Sequence, residues 1–214
     1  MHLYLIRHGE SQINIPTEGA RSRDELDAGL TAKGQKQALA VARWMKQQVP
    51  HINALYASTM KRAQETAQFL ADAYQCHLVF DDRLREIGNN RLDHSPLPDH
   101  ELPNEYSSLS PYQFPFSPVA PTIEQGESFM HYRVRIGMFL EDMVKRHQQE
   151  TIIVVGHSGT VNALSDTIFN IGSYRQCDIR GDYTGVTLFQ YMGKTDWETW
   201  RLHYLSRVDH LVNW

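Results

Sequence analysis

A chain of 214 residues is long enough to bury a full core as one large domain, and 41% hydrophobic against 21% charged residues is an ordinary globular balance. No apolar run approaches the roughly 20 residues that cross a bilayer, and a net charge of −4 argues against general nucleic-acid binding, which needs many phosphates neutralised by Lys and Arg. Cys76 and Cys177 are too few for a disulfide framework and lack zinc-ligand spacing, so the expectation is a cytoplasmic protein with no leader segment, no membrane and no nucleic-acid partner.

In chain order, Leu3, Tyr4, Leu5 and Ile6 form an apolar run that reads as a strand buried on both faces and ending at Gly9. Arg7 and His8 then stand at its carboxyl end, which faces the ligand crevice in open α/β sheets. Residues 11–29 carry no sustained period and read as loop. Thr31 is expected to N-cap a helix with the stripe Ala38, Val41, Met45 and Val49, ended by Pro50. Residues 52–57 make a second strand, after which Ser58 and Thr59 are expected to cap a helix burying Ala63, Ala67, Leu70 and Ala71. Arg62 falls in the first turn of that helix, where the dipole disfavours a cation unless an anion is bound beside it.

Residues 77–80 read as a third strand, followed by Glu86, which as a bare residue reads as a surface partner of Arg83 or Arg85. Between 88 and 125 the chain changes character: seven of its nine prolines fall here, interleaved with Tyr106, Tyr112, Phe114 and Phe116. Such density forbids a long helix, yet the aromatics need cover, so an ordered insert acting as a lid is expected. The next helix opens after Gly126-Glu127-Ser128 and carries Phe129, the stem of Arg133, Ile136, Leu140, Met143 and His147 on one stripe. Residues 151–155 form a fourth strand, turned by Gly156-His157-Ser158-Gly159 into a helix over 160–170. A hairpin of 186–192 with 197–205 is expected to close the sheet edge.

The run Arg7-His8-Gly9-Glu10-Ser11 followed by Asn14 resembles the opening signature of the histidine phosphatase superfamily, the phosphoglycerate mutase-like proteins. Further segments are similar in the same order: residues 27–38, Ser58 to Ala67 with Arg62 and Thr66, Leu84-Arg85-Glu86, Gly126-Glu127-Ser128, residues 155–159, and the closing stretch 200–211. The resemblance implies a three-layer α/β/α sandwich with a mostly parallel central sheet, in one domain over residues 1–214. It implies His8, Glu86 and His157 as catalytic residues, with Arg7, Arg62, Asn14 and Ser158 holding the substrate phosphate. Position 11 is more often Thr in the family, and Asn89-Asn90-Arg91 departs from the Gly-acid-Gly that often follows the acid.

Independently of the resemblance, strand-helix alternation implies parallel strands, which opens three strand ends carrying Arg7-His8, Ser58 to Arg62 and His157-Ser158 on one sheet edge. Two arginines and two histidines gathered there are costly unless a strongly anionic ligand compensates them, and a phosphate dianion fits. The converging cations should keep one histidine neutral. The resemblance makes that residue His8, attacking a small phosphomonoester to form a phosphohistidine while Glu86 protonates the leaving alkoxide. No cofactor and no metal is expected, because the arginines would repel a divalent cation.

Three alternatives stand beside this reading. A serine hydrolase would use Ser158 on a nucleophile elbow, with Asp178 or Asp182 and His203 or His210 downstream, but Thr160 replaces the second Gly of that motif. A phosphate-binding module without turnover would keep the pocket alone. A phosphoglycerate mutase-type phosphotransferase would need a basic insert, whereas residues 88–125 offer only Arg91 as a fixed cation. The sequence leaves open which phosphoester is the substrate and whether a homodimer forms.

Overall fold

Side-chain alternation in the central strands builds two cores, one on each face of a single sheet. Leu3, Leu5, Ile152 and Val154 point one way, towards Tyr132, Ile136, Phe139, Val161 and Leu164; Ile6, Ile153, Val155, Leu55 and Ala57 point the other way, towards Val41, Met45, Ala63, Ala67 and Leu70. The computed structural model describes residues 1–16, 26–102, 126–172, 179, 181–193 and 199–212. Within them the elements run β1 (His2–Arg7), α1 (Ala32–Gln48), β2 (Ala54–Ser58), α2 (Lys61–Tyr74), β3 (Leu78–Asp81), α3 (Phe129–Arg146), β4 (Thr151–Gly156), α4 (Ser158–Ile168), β5 (Val186–Tyr191) and β6 (Trp200–Arg207). The sheet order is β3-β2-β4-β1-β5-β6. The first four strands are mutually parallel, and β5 and β6 add an antiparallel hairpin at one edge. With α1 and α2 on one face and α3 and α4 on the other, this is the expected three-layer α/β/α arrangement. No described helix is long and apolar enough to cross a membrane.

The sheet register positions the site. Arg7 pairs with Gly156, so the next residues of the two strands, His8 and His157, leave the sheet side by side. Ala57 pairs with Val155, which brings Ser58 level with Gly156. The loop after β1 then lies tightly on α1: a Cβ at Gly34 would collide with the backbone of Glu10, so only glycine lets the two segments approach this closely.

Several elements differ from their sequence-based expectation. Ser58 and Thr59 do not cap α2. The helix starts at Lys61, whose N–H donates to both carboxylate oxygens of Asp27 at 3.0 and 3.1 Å, so the cap comes from a distant loop. Helix α4 begins at Ser158 rather than at residue 160, because Thr160 Oγ1 accepts the His157 N–H at 3.0 Å and closes the first turn early. On α3 it is Arg135, with Tyr132 and Phe139, that is buried; Arg133 lies at the helix edge, donating to the Ile171 carbonyl at 2.7 Å. Thr31 does cap α1, its Oγ1 accepting from Gly34 N–H at 2.9 Å.

Of the insert, residues 88–102 fold back onto the body. Leu97 and Leu102 are buried with Leu26 and Met60, and Arg85 donates to the Leu97 carbonyl at 3.2 Å. The rest of the expected 88–125 lid, residues 103–125, lies outside the described residues.

Candidate active site

His8 is 3% exposed and lies between two groups that fix its tautomer. Its Nδ1 is 2.7 Å from the Gly9 carbonyl oxygen, which can only accept, and its Nε2 is 3.3 Å from Arg62 Nε–H, which can only donate. The proton therefore sits on Nδ1, and the unprotonated Nε2 accepts from Arg62 through its lone pair. Burial, then the charges of Arg62 and Arg7, hold the imidazole well below its usual range, opposed by the hydrogen bond to Gly9. Gly9 is itself held from α2: its N–H donates to Thr66 Oγ1 at 3.1 Å, and that hydroxyl donates to the Arg62 carbonyl at 2.8 Å.

His157 is wholly buried, with its ring centroid 5.1 Å from that of His8 in an edge-on arrangement. Its Nε2 lies 2.9 Å from Ser58 Oγ, the strand-end hydroxyl expected to cap a helix. Burial comes first, ahead of the charges of Arg62 and its neighbours, in holding this imidazole far below its usual range too. Both histidines are thus neutral, where the sequence argument predicted one, and removal from water outweighs the converging cations in each.

The arginines complete a cationic cradle. Arg62 is 2% exposed, and Asp27 stands 3.6 Å from its Nη1. Asp27 has its carboxyl pushed up by burial, against the pull of Arg62. Arg7 donates to the Gly181 carbonyl at 2.7 Å, and its guanidinium lies 4.1 Å from the centre of the Tyr183 ring. Tyr183 is also 6.2 Å from His8, ring to ring, and so walls the cradle. Asp27 and Ser58 lie in family-like segments, but nothing in the sequence gives their partners here or marks Tyr183, because each acts through a contact between distant segments.

Glu86 comes from the turn that follows β3. Its carboxylate accepts from Gly159 N–H at 3.2 Å, from Ile87 N–H at 2.9 Å and from the Tyr132 hydroxyl at 3.4 Å. The acid thus lies at the N-terminus of α4, two residues along from His157. Gly159 leaves room for it, since a Cβ there would strike the carboxylate and the Tyr132 hydroxyl. Neither Arg83 nor Arg85 pairs with Glu86: Arg83 is held by Asp81 and Asp142, at 2.7 and 2.6 Å.

The remaining expected residues divide. Ser158 is the first residue of α4, so its backbone amide belongs to the helix terminus facing the cradle. Asn14 is exposed, and its Oδ1 accepts from Ser11 Oγ at 2.6 Å. The histidines proposed for a serine hydrolase are engaged elsewhere, His203 with Gln190 and His210 with Thr184. Asp178 lies outside the described residues.

The combination is a neutral imidazole lone pair beside a buried guanidinium donor, with a carboxylate at the start of the helix that follows His157. A 30% identical relative, a provisionally named phosphoserine phosphatase 2 of Hydrogenobacter thermophilus, aligns over 97% of this chain and 96% of its own. A probable phosphoglycerate mutase of an Enterobacter species is 28% identical over 99% and 95% of the two chains. Among solved structures, a phosphoserine phosphatase of Entamoeba histolytica superposes with a TM-score of 0.71 at 23% identity, covering 99% of both chains. The model of the histidine phosphatase superfamily (branch 1) matches residues 3–203, and the chain belongs to that family.

Proposed function

We propose that this protein is a metal-independent hydrolase of small phosphomonoesters that works through a phosphohistidine on His8. The observation that carries the proposal is the tautomer of His8, whose unprotonated Nε2 lies among donors suited to phosphate oxygens. Substrate binds with its phosphoryl group between Arg7, Arg62 and His157, with the α4 amides adding donors. Nε2 attacks phosphorus in line as the ester P–O bond breaks, and Glu86 gives the departing alkoxide its proton. Water then attacks the phosphohistidine, Glu86 takes up the water proton, and the N–P bond breaks to release inorganic phosphate. Asn14 offers its Nδ2 as a further phosphate donor, its Oδ1 being held by the Ser11 hydroxyl.

Hydrolysis is favoured over transfer by what the insert lacks. Arg91, its one fixed cation, forms an exposed pair with Glu101 at 2.6 Å, so a substrate carboxylate would have to compete with Glu101 for it. Names of relatives point both ways, to phosphoserine phosphatase and to phosphoglycerate mutase. The test is inorganic phosphate release from a panel including phosphoserine, phosphosugars, nucleotides, 3-phosphoglycerate and an aryl phosphate, in EDTA, with His8→Ala as control. Release that survives EDTA and vanishes in the variant is expected. Isomerisation of 3-phosphoglycerate without net release would make the chain a mutase, and release that EDTA abolishes would overturn the metal-free mechanism.

A further inference from the structure

Beneath the Glu86 turn lies a charge pair that the chemistry above does not use. Arg135 and Glu127 are both wholly inaccessible to water, joined by two bonds of 2.7 and 2.6 Å. The rest of the guanidinium goes to backbone: Nη1 to the Arg83 carbonyl at 2.5 Å and Nη2 to the Glu86 carbonyl at 3.2 Å. The Glu127 carboxylate in turn accepts the Gly88 N–H at 3.0 Å. The pair thus grips the chain before, at and after Glu86. One helical turn earlier on the same face, Tyr132 lies with its ring 4.5 Å from the Arg135 guanidinium and its hydroxyl on the Glu86 carboxylate. A buried pair can often be exchanged for apolar residues without loss of stability, so stability alone does not explain two charges here. Among the described residues, the side-chain hydrogen bonds they make outside the pair end on the backbone of residues 83, 86 and 88.

We propose that Arg135 and Glu127 are positioning residues that hold Glu86 where it can reach the leaving oxygen. This rests on the reading of Glu86 as the general acid. A loosened turn would then slow the departure of poor leaving groups and spare good ones, whereas a merely structural loss would slow all substrates alike.

The experiment compares kcat/KM for an alkyl phosphate, glycerol phosphate, with that for para-nitrophenyl phosphate, whose leaving group departs without a proton. Glu86→Gln is expected to lose roughly 10²- to 10⁴-fold on the alkyl ester and far less on the aryl ester. Arg135→Lys is expected to lose roughly 10²-fold with the same selectivity, the scale of a misplaced catalytic group. Combined with Glu86→Gln, it should add almost nothing on the alkyl ester. Because Arg135→Lys risks leaving Glu127 unsatisfied in the core, the paired exchange Arg135→Met with Glu127→Leu, which removes both charges, is made alongside and is expected to fold and show the same selectivity. Equal losses on both esters in the Arg135 variants, beside a selective Glu86→Gln, would overturn the proposal alone. An unselective Glu86→Gln would overturn the role of Glu86 and the proposal with it.

Discussion

The two sides of the site are held by different means. The cradle of His8, Arg7, Arg62 and His157 stands on the ends of parallel strands and the first turn of a helix, so the sheet register alone brings it together. The acid turn at Glu86 follows the edge strand β3 and owes its place to side chains from α3 and to the start of α4. A site built on register is fixed by backbone ladders, whereas one built on a buried ion pair depends on a few side chains. Damage to the first should be felt by every substrate, and damage to the second should show in kcat/KM only for substrates whose leaving group needs a proton, because hydrolysis of the common phosphohistidine enters kcat and not kcat/KM.

The largest effect should come from His8→Ala, which removes the nucleophile and is expected to cost about 10⁴-fold or more in kcat on alkyl and aryl esters alike. Steady-state phosphate release checks this, and a loss confined to one ester class would break the contrast. Next, Arg62→Ala removes the donor on His8 Nε2 and a phosphate ligand together, for an expected loss of roughly 10²- to 10³-fold in kcat/KM on both esters. Inhibition by inorganic phosphate should weaken in parallel, and Arg62→Lys should not restore it, because a lone ammonium cannot reproduce the guanidinium fork.

On the acid side, Gly159→Ala sets a methyl against the Glu86 carboxylate and should cost about 10²-fold on an alkyl ester and much less on an aryl ester. An equal loss on both would mean that the helix terminus, not the acid, was disturbed. The smallest effect is on stability against pH. His8 and His157 stay neutral when folded, while in the unfolded chain each takes up a proton near its ordinary value of about 6.5. The unfolded state therefore binds more protons below that value, and stability falls as the pH drops through it. His8→Gln removes one such group, so the slope of unfolding free energy below pH 6.5 should flatten by up to about 1.4 kcal/mol per pH unit, measured by denaturant titration at several pH values.

The same division governs what could be read from the sequence. Apolar runs ending in Arg7-His8 and Gly156-His157 announce strand ends, and parallel alternation then dictates that they meet, so the cradle follows from local pattern and topology. Helical faces made of alanines and leucines, as on α2, were likewise plain. What a local pattern cannot carry is a polar contact between distant segments. Asp27 capping α2, Ser58 turning to His157, and Arg135 bonding the Glu86 turn each join residues at least 34 positions apart. The helical period of α3 puts the stem of Arg133 on the buried stripe, whereas Glu127 and the carbonyls of residues 83 and 86 bury Arg135 instead, through contacts that no local pattern carries.

The most direct measurement is to trap the intermediate. Enzyme mixed with an aryl phosphate labelled with ³²P and quenched within the first turnover in strong base should carry label that survives base, is lost in acid, and maps to His8. Label absent during active turnover, or found on any residue other than His8, would contradict the mechanism at its centre.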